Sequence, residues 1–266
     1  MKVLICGYGN MGRTFTNSFI TSHFIKPNDI SALVRSIPEK ENRNGIPKEN
    51  FLLKVDETIS HFDIVVLAVK PQDFDVLAES IKSFLSKDSI LFSVMAGVKI
   101  ETIEKKFNSI KVVRSMPNVP TQIGLGMTVF SASKNIDRKD LFIIQNLINT
   151  TGKSLYVENE TLIDAATSIS GSGPAYVFYF MQAMIDTAKE FGFNESEAEF
   201  LVNQTFLGSV NLQNRSKLSN EEWIKKVASK GGTTEQALLE FGSKNTKNII
   251  NSAMKKAFER AKELGN

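Results

Sequence analysis

One cysteine and two histidines in 266 residues remove several chemistries at once. A single thiol cannot close an internal disulfide, which fits a reducing cytoplasm. Cys6 lies inside an apolar run and reads as a small buried hydrophobe. His23 and His61 fall in segments that read as surface, so neither a histidine-based triad nor a histidine-rich metal site is expected. Long apolar runs are missing too. The stretch Ile64-Val65-Val66-Leu67-Ala68-Val69 is strand length, far short of a membrane span. The first strand starts at Lys2, so no cleavable leader is expected. A formal net charge of +3 without a basic tract argues against a nucleic-acid partner. There is no proline-rich or glycine/serine-rich tract. With 42% hydrophobic and 23% charged residues, the chain is expected to fold compactly.

What is present begins at the second residue. Lys2-Val3-Leu4-Ile5-Cys6 reads as a buried strand, and Gly7-Tyr8-Gly9-Asn10-Met11-Gly12 follows it directly, ahead of a helical stretch. Glycines at these spacings carry weight only between a strand and a helix, and that is the context here. Gly7 permits the tight turn, Gly9 leaves the backbone open to a pyrophosphate, and Gly12 lets the helix lie close to the sheet. The helix N-terminus then offers unpaired N–H groups and a partial positive charge to a diphosphate. Dinucleotide binding is the expectation.

Strand and helix patterns alternate up to about residue 157. Strands are expected at 2–6, 30–34, 52–55, 63–69, 89–94, 111–115, 127–131 and 153–157, with helices such as 10–22, 72–85 and 137–150 between them. Such alternation predicts a doubly wound, mostly parallel α/β sheet with helices on both faces. Beyond residue 160 only helices are expected, broken at Gly171–Pro174, Gly192, Asn214–Leu218 and Lys230–Gly232. The chain therefore divides, on this reading, into a dinucleotide-binding domain at 1–158 and a helical domain at 159–266. Residues Ala175–Ala188 form a helix that is apolar on nearly every face and must be covered all round. A helical domain of this size can barely wrap such a helix, so a second subunit is expected to supply part of the cover, the alternative being the central helix of a monomeric bundle.

The end of the second strand distinguishes NADP from NAD, an acid there favouring the free ribose hydroxyl. Ile30-Ser31-Ala32-Leu33-Val34 is followed by Arg35 and Ser36, while the first acid, Glu39, comes too late. A guanidinium forks onto phosphate oxygens and a hydroxyl adds a bond. NADPH is the expected cofactor, with NADH an alternative. The fourth strand ends in Ala68-Val69-Lys70-Pro71-Gln72, a turn that should face the ligand, with Pro71 stiffening it and Lys70 in reach. The fifth ends in Met95-Ala96-Gly97, small residues where a nicotinamide ring would approach.

Three more segments complete the pattern: Met116-Pro117-Asn118-Val119-Pro120, Ser168-Ile169-Ser170-Gly171-Ser172-Gly173-Pro174-Ala175-Tyr176, and Gly231-Gly232-Thr233-Thr234 opening a helix. With the N-terminal glycines and Ala68–Pro71, they make the chain resemble the Δ1-pyrroline-5-carboxylate reductases over residues 1 to about 262. The resemblance implies a Rossmann domain followed by a helical dimerisation domain that interlocks with its twin. It implies reduction of the cyclic imine 1-pyrroline-5-carboxylate to L-proline with NADPH or NADH, as the last step of proline synthesis, in a cytoplasmic homodimer or higher oligomer. A protonated imine is already electrophilic, so holding two rings face to face does most of the work, and positioning of that kind supplies roughly 7 to 11 kcal/mol. A hydroxyl or a water suffices for the proton. By the resemblance, Thr234 hydrogen-bonds the ring nitrogen, the N–H groups of Gly232, Thr233 and Thr234 receive the carboxylate, and Ser229 adds a bond. The same likeness puts that loop at an active site between two subunits and packs Ser170–Tyr176 close to the nicotinamide.

The chain departs from the family pattern in two places. Ala228-Ser229-Lys230 stands where a serine and a proline are usual, and Val55 or Asp56 where the turn after the third strand usually has asparagine. Two rival functions remain at this level. A β-hydroxyacid dehydrogenase would need a catalytic lysine on the helix opening the second domain, yet Ser154–Ala188 contains none. A non-catalytic NADPH-binding regulator has only the altered 228–230 loop in its favour.

Overall fold

A computed structural model describes residues 1–108 and 111–265. Eight strands form one sheet: β1 (Val3–Cys6), β2 (Ile30–Leu33), β3 (Phe51–Leu52), β4 (Ile64–Leu67), β5 (Ile90–Ser93), β6 (Lys111–Met116), β7 (Gly126–Ala132) and β8 (Gly152–Tyr156). Their order is β3-β2-β1-β4-β5-β6-β7-β8. Neighbours from β3 through β6 run parallel, β6 and β7 run antiparallel, and β7 and β8 are again parallel to each other. The first six strands thus form the doubly wound order of dinucleotide-binding sheets, whose reversal lies between β1 and β4.

Side chains of successive strand residues point to opposite faces, and two cores follow from that alternation. Val3, Ile5, Ile64, Val66, Ile90 and Phe92 point to one face, beneath Phe15 and Phe19 of α1 (Asn10–Thr21) and Ile144, Leu147 and Ile148 of α4 (Arg138–Asn149). Leu4, Cys6, Val65, Leu67 and Leu91 point to the other, beneath α2 (Phe74–Ile81) and α3 (Ile100–Phe107). In register, Cys6 stands opposite both Leu33 and Leu67. The turns that leave β1, β2 and β4 therefore emerge at the same edge of the sheet.

The rest is helical: α5 (Thr161–Ala166), a π-helical turn (Thr167–Gly171), α6 (Gly173–Glu190), α7 (Glu195–Asn214), α8 (Asn220–Val227), α9 (Thr233–Ser243) and α10 (Thr246–Leu264). By packing, the chain separates into two compact units, Met1–Gly173 with Ala257–Asn266, and Pro174–Lys256. Asn194 with Glu197 and Ser219 with Glu222 make reciprocal capping boxes at the starts of α7 and α8.

All eight expected strands form, and among the described residues no strand appears after residue 160. The third strand is shorter and earlier than 52–55, holding only Phe51 and Leu52. Phe51 fills the core there, while Lys54 is exposed. The helix expected over 72–85 spans only Phe74–Ile81, its start delayed because Pro71 opens a 3₁₀ turn over Pro71–Asp73 first. A break that the pattern did not signal separates α9 from α10, where Asn245 adopts φ +55°.

Candidate functional site

At the carboxyl edge of β1, β2 and β4 lies a cavity of about 800 Å³. The sequence-predicted residues Gly7, Tyr8, Gly9, Arg35, Ser36, Ala68, Val69 and Lys70 all line it. The three glycines have distinct reasons. Gly7 sits at φ +96°, and a Cβ there would come within 2.7 Å of the Ala68 backbone. A Cβ on Gly12 would overlap the Gly7 carbonyl oxygen, so α1 can meet the turn only through glycine. Around Gly9 a Cβ would meet nothing within 4 Å, leaving a stretch of bare backbone facing open space. Gly9 caps α1 with no side-chain hydrogen bond. The first-turn N–H groups of Asn10, Met11 and Gly12 have no intrahelical acceptors by helix geometry. This is the arrangement a pyrophosphate needs, and the residues present fit a dinucleotide.

Of the remaining expected cofactor residues, Asn10, Met11, Gly12, Pro71, Ala96 and Gly97 do not line the cavity. Asn10 opens α1, Met11 packs against the core, and Pro71 starts the stiff turn after β4. Gly97, at φ +77°, has a second reason for being glycine: its missing Cβ makes room for the Leu264 carbonyl at the end of α10. The cavity wall also includes Val76 and Leu77 of α2, and Asp73 just before it. Val76 is an apolar residue 76% exposed on an otherwise amphipathic helix, a combination that sequence pattern alone reads as an ordinary surface residue.

Tyr8 ties the loop after β2 to the glycine turn. Its hydroxyl donates to the Arg43 carbonyl at 2.9 Å, and its ring meets Phe51 edge-on at 5.2 Å. Burial pushes this phenol up to about 12, so it stays a donor at any physiological pH. Asn44 adds a second tie by donating Nδ2–H to the Arg13 carbonyl. Arg35 reaches across to Asp73, with Nη2 3.4 Å from Oδ1. Beneath the turn, Cys6 is fully buried, and desolvation raises its thiol to about 12.

A second cluster escaped sequence reading. Arg114 on β6 is 2% exposed and donates from Nη1 to Glu160 at 3.0 Å and from Nη2 to Asp164 at 2.6 Å. Glu160 also accepts the Ile100 N–H at 2.8 Å, so one carboxylate joins β6, the start of α3 and the segment that opens α5. Just beyond the end of β6, Asn118 donates to the Ser170 carbonyl and accepts the Met127 N–H. That bridge ties the Met116–Pro120 segment to the π-helical turn in Ser168–Tyr176, two of the motifs that carry the resemblance.

The Ser229–Thr234 loop belongs to the helical unit. Gly231 takes φ +74°, and its N–H donates to Glu235 at 2.7 Å. Gly232 N–H donates to the Ser229 carbonyl at 3.0 Å, and a Cβ on Gly232 would crowd the Ser229 hydroxyl. The turn is thus held by two hydrogen bonds where a proline at 230 would have stiffened it. Of the three amides expected to receive a carboxylate, Gly232 is committed within the loop. Thr233 and Thr234 open α9 with first-turn N–H groups that have no intrahelical acceptors, and Thr234 is half-buried. Among the described residues, no cluster of His, Cys, Asp or Glu could hold a metal ion, and no helix is long and apolar enough to cross a membrane.

Comparison with known proteins agrees with this geometry. Residues 160–264 match the family model for pyrroline-5-carboxylate reductase dimerisation, and residues 2–97 match that for NADP oxidoreductase, coenzyme F420-dependent. The chain is 32% identical to pyrroline-5-carboxylate reductase 2 of Bacillus subtilis, over 99% of this chain and 95% of that one. It is also 32% identical to the pyrroline-5-carboxylate reductase of Aquifex aeolicus, over 99% and 97%. Among solved structures, the Plasmodium falciparum pyrroline carboxylate reductase with NADP bound superimposes with a TM-score of 0.90 at 28% identity, covering 100% of this chain and 98% of that one. The Coxiella burnetii pyrroline-5-carboxylate reductase gives 0.88 at 30%, with the same coverage.

Proposed function

The chain belongs to the pyrroline-5-carboxylate reductase family, and from that premise we propose that it reduces 1-pyrroline-5-carboxylate to L-proline, the closing step of proline synthesis. A nicotinamide nucleotide, when bound, supplies the hydride that goes to the imine carbon. The residues do the rest. Gly7, Gly9 and the opening turn of α1 hold the pyrophosphate against bare backbone. Arg35 and Ser36 face the ribose, which supports NADPH as the preferred donor with NADH also used. Ala68, Val69 and Lys70 form the opposite wall, with Pro71 stiffening their turn. Ala96 and Gly97 keep the end of β5 small where the nicotinamide ring approaches.

The substrate carboxylate is received by the free N–H groups of Thr233 and Thr234, with Ser229 beside them, and Lys230 adds positive charge to that turn. The Thr234 hydroxyl bonds the ring nitrogen and keeps it in line for protonation. With no histidine placed to act as an acid, a chemistry that relies on orienting an already electrophilic imine suits these residues best. The working form is a homodimer or larger homo-oligomer assembled through residues 159–266, in the cytoplasm. The dimerisation family match and the exposed apolar residues of α6 support that assembly. The observation that carries the whole reading is one chain combining the glycine-lined cavity with an end-to-end likeness to named reductases.

The test is to follow NADPH oxidation by the purified protein with pyrroline-5-carboxylate. Turnover is expected. Nucleotide binding without turnover on this or any related cyclic imine overturns the proposal. In the same assay, Thr234→Ala is expected to lower kcat by about 100-fold with nucleotide affinity unchanged, and unaltered kinetics would remove Thr234 from the reaction.

A further inference from the structure

We propose that Asp73 sets how strongly this chain distinguishes a 2′-phosphorylated nucleotide from its unphosphorylated counterpart, by acting as the counter-ion of Arg35. The inference rests on the nucleotide reading of the cavity and goes beyond it. In dinucleotide sites that select the free ribose, an acid at the end of the second strand accepts from the 2′-hydroxyl. No acid stands there in this chain, where Leu33 is followed by Val34, Arg35 and Ser36. The fold nonetheless brings one beside Arg35. Asp73, in the 3₁₀ turn after β4, lies 3.4 Å from the Arg35 guanidinium, and both residues line the cavity.

The two side chains differ in exposure, Arg35 at 90% and Asp73 at 41%. An exposed pair at this distance contributes little to stability, so its effect falls on the ligand. A ribose 2′-phosphate must draw the Arg35 fork away from the Asp73 carboxylate, so the existing pair lowers what the phosphate gains. A ribose with a free hydroxyl makes no demand on the fork and leaves the pair intact. Asp73 therefore favours the unphosphorylated nucleotide and Arg35 the phosphorylated one. Their pairing leaves a site that uses both, with the balance set by a residue 38 positions downstream of the one that sequence rules inspect.

Binding of 2′,5′-ADP and 5′-AMP to the full chain, measured by calorimetry, tests this without turnover, so its outcome is separable from that of the reductase proposal. Asp73→Asn is expected to raise the ratio of 2′,5′-ADP to 5′-AMP affinity about fivefold, and the gain should shrink at high salt. Arg35→Gln should collapse the ratio, and adding Asp73→Asn to that background should leave it nearly unmoved. An unchanged ratio in Asp73→Asn overturns the proposal. So does a gain that persists in full without Arg35, since the carboxylate would then act on the phosphate alone. NADP+ and NAD+ titrations on the same variants should move in parallel.

Discussion

The two compact units treat their apolar residues in opposite ways. In the unit built on the sheet, β1, β4 and β5 are buried on both faces, and α1 to α4 cover them with Phe15, Phe19, Phe74, Phe107 and their neighbours. In the unit spanning Pro174–Lys256, Ala198 and Val202 are the buried hydrophobic residues among those described. Its helices carry Phe178, Tyr179, Phe200, Leu207, Leu239 and Phe241 in exposed positions. Local sequence is helical and apolar in both regions, so composition does not separate them. What separates them is the sheet, which gives an amphipathic helix something flat to lie on. Helices without a sheet need other helices, and on the family reading these come from a second copy.

Four substitutions break or sharpen that contrast. The largest effect is expected at the polar anchor of the sheet-based unit. Asp164→Ala leaves a buried guanidinium with one carboxylate in place of two, and should cost about 3–5 kcal/mol in denaturant unfolding. A loss comparable to an ordinary surface change would mean that Arg114 is solvated in some other way. Next comes the glycine turn. Gly12→Ala drives a methyl into the Gly7 carbonyl and should cost about 1–3 kcal/mol together with nucleotide binding. Gly9→Ala meets open space, so its stability should change by less than about 0.5 kcal/mol while nucleotide binding weakens. Equal melting of the two variants would contradict the packing described. The smallest effect on folding is expected in the helical unit, with Phe178→Glu. Sedimentation should show association weakened by about 30-fold, and the sheet-based unit should keep its nucleotide affinity. A variant that stays fully assembled would take Phe178 out of the contact.

The fold was legible wherever residues interact with near neighbours. Alternating runs announced the strands, and the glycine spacing located the turn, because a strand's period and a turn's torsions are local properties. Legibility ended where partners are distant. Arg114 interrupts an apolar strand, and nothing nearby marks it as buried; its carboxylates stand 46 and 50 residues further on. Asp73 looked like a residue of a helix start until β4 brought it beside Arg35. Gly97 reads as room for a ring, and the close approach of Leu264 comes from the far end of the chain. The early end of β3 has the same origin, since Phe51 finds its place through the core that other strands build.

The solitary thiol of Cys6 has one practical use. It lies in a central strand, wholly covered, and its proton is held up to about 12. Alkylating reagents attack only the thiolate, so modification in neutral buffer must wait until β1 parts from its neighbours. The chain carries a built-in clock for the opening of its own sheet: mass gained against time counts those openings, and a nucleotide seated on the turn above should slow the count.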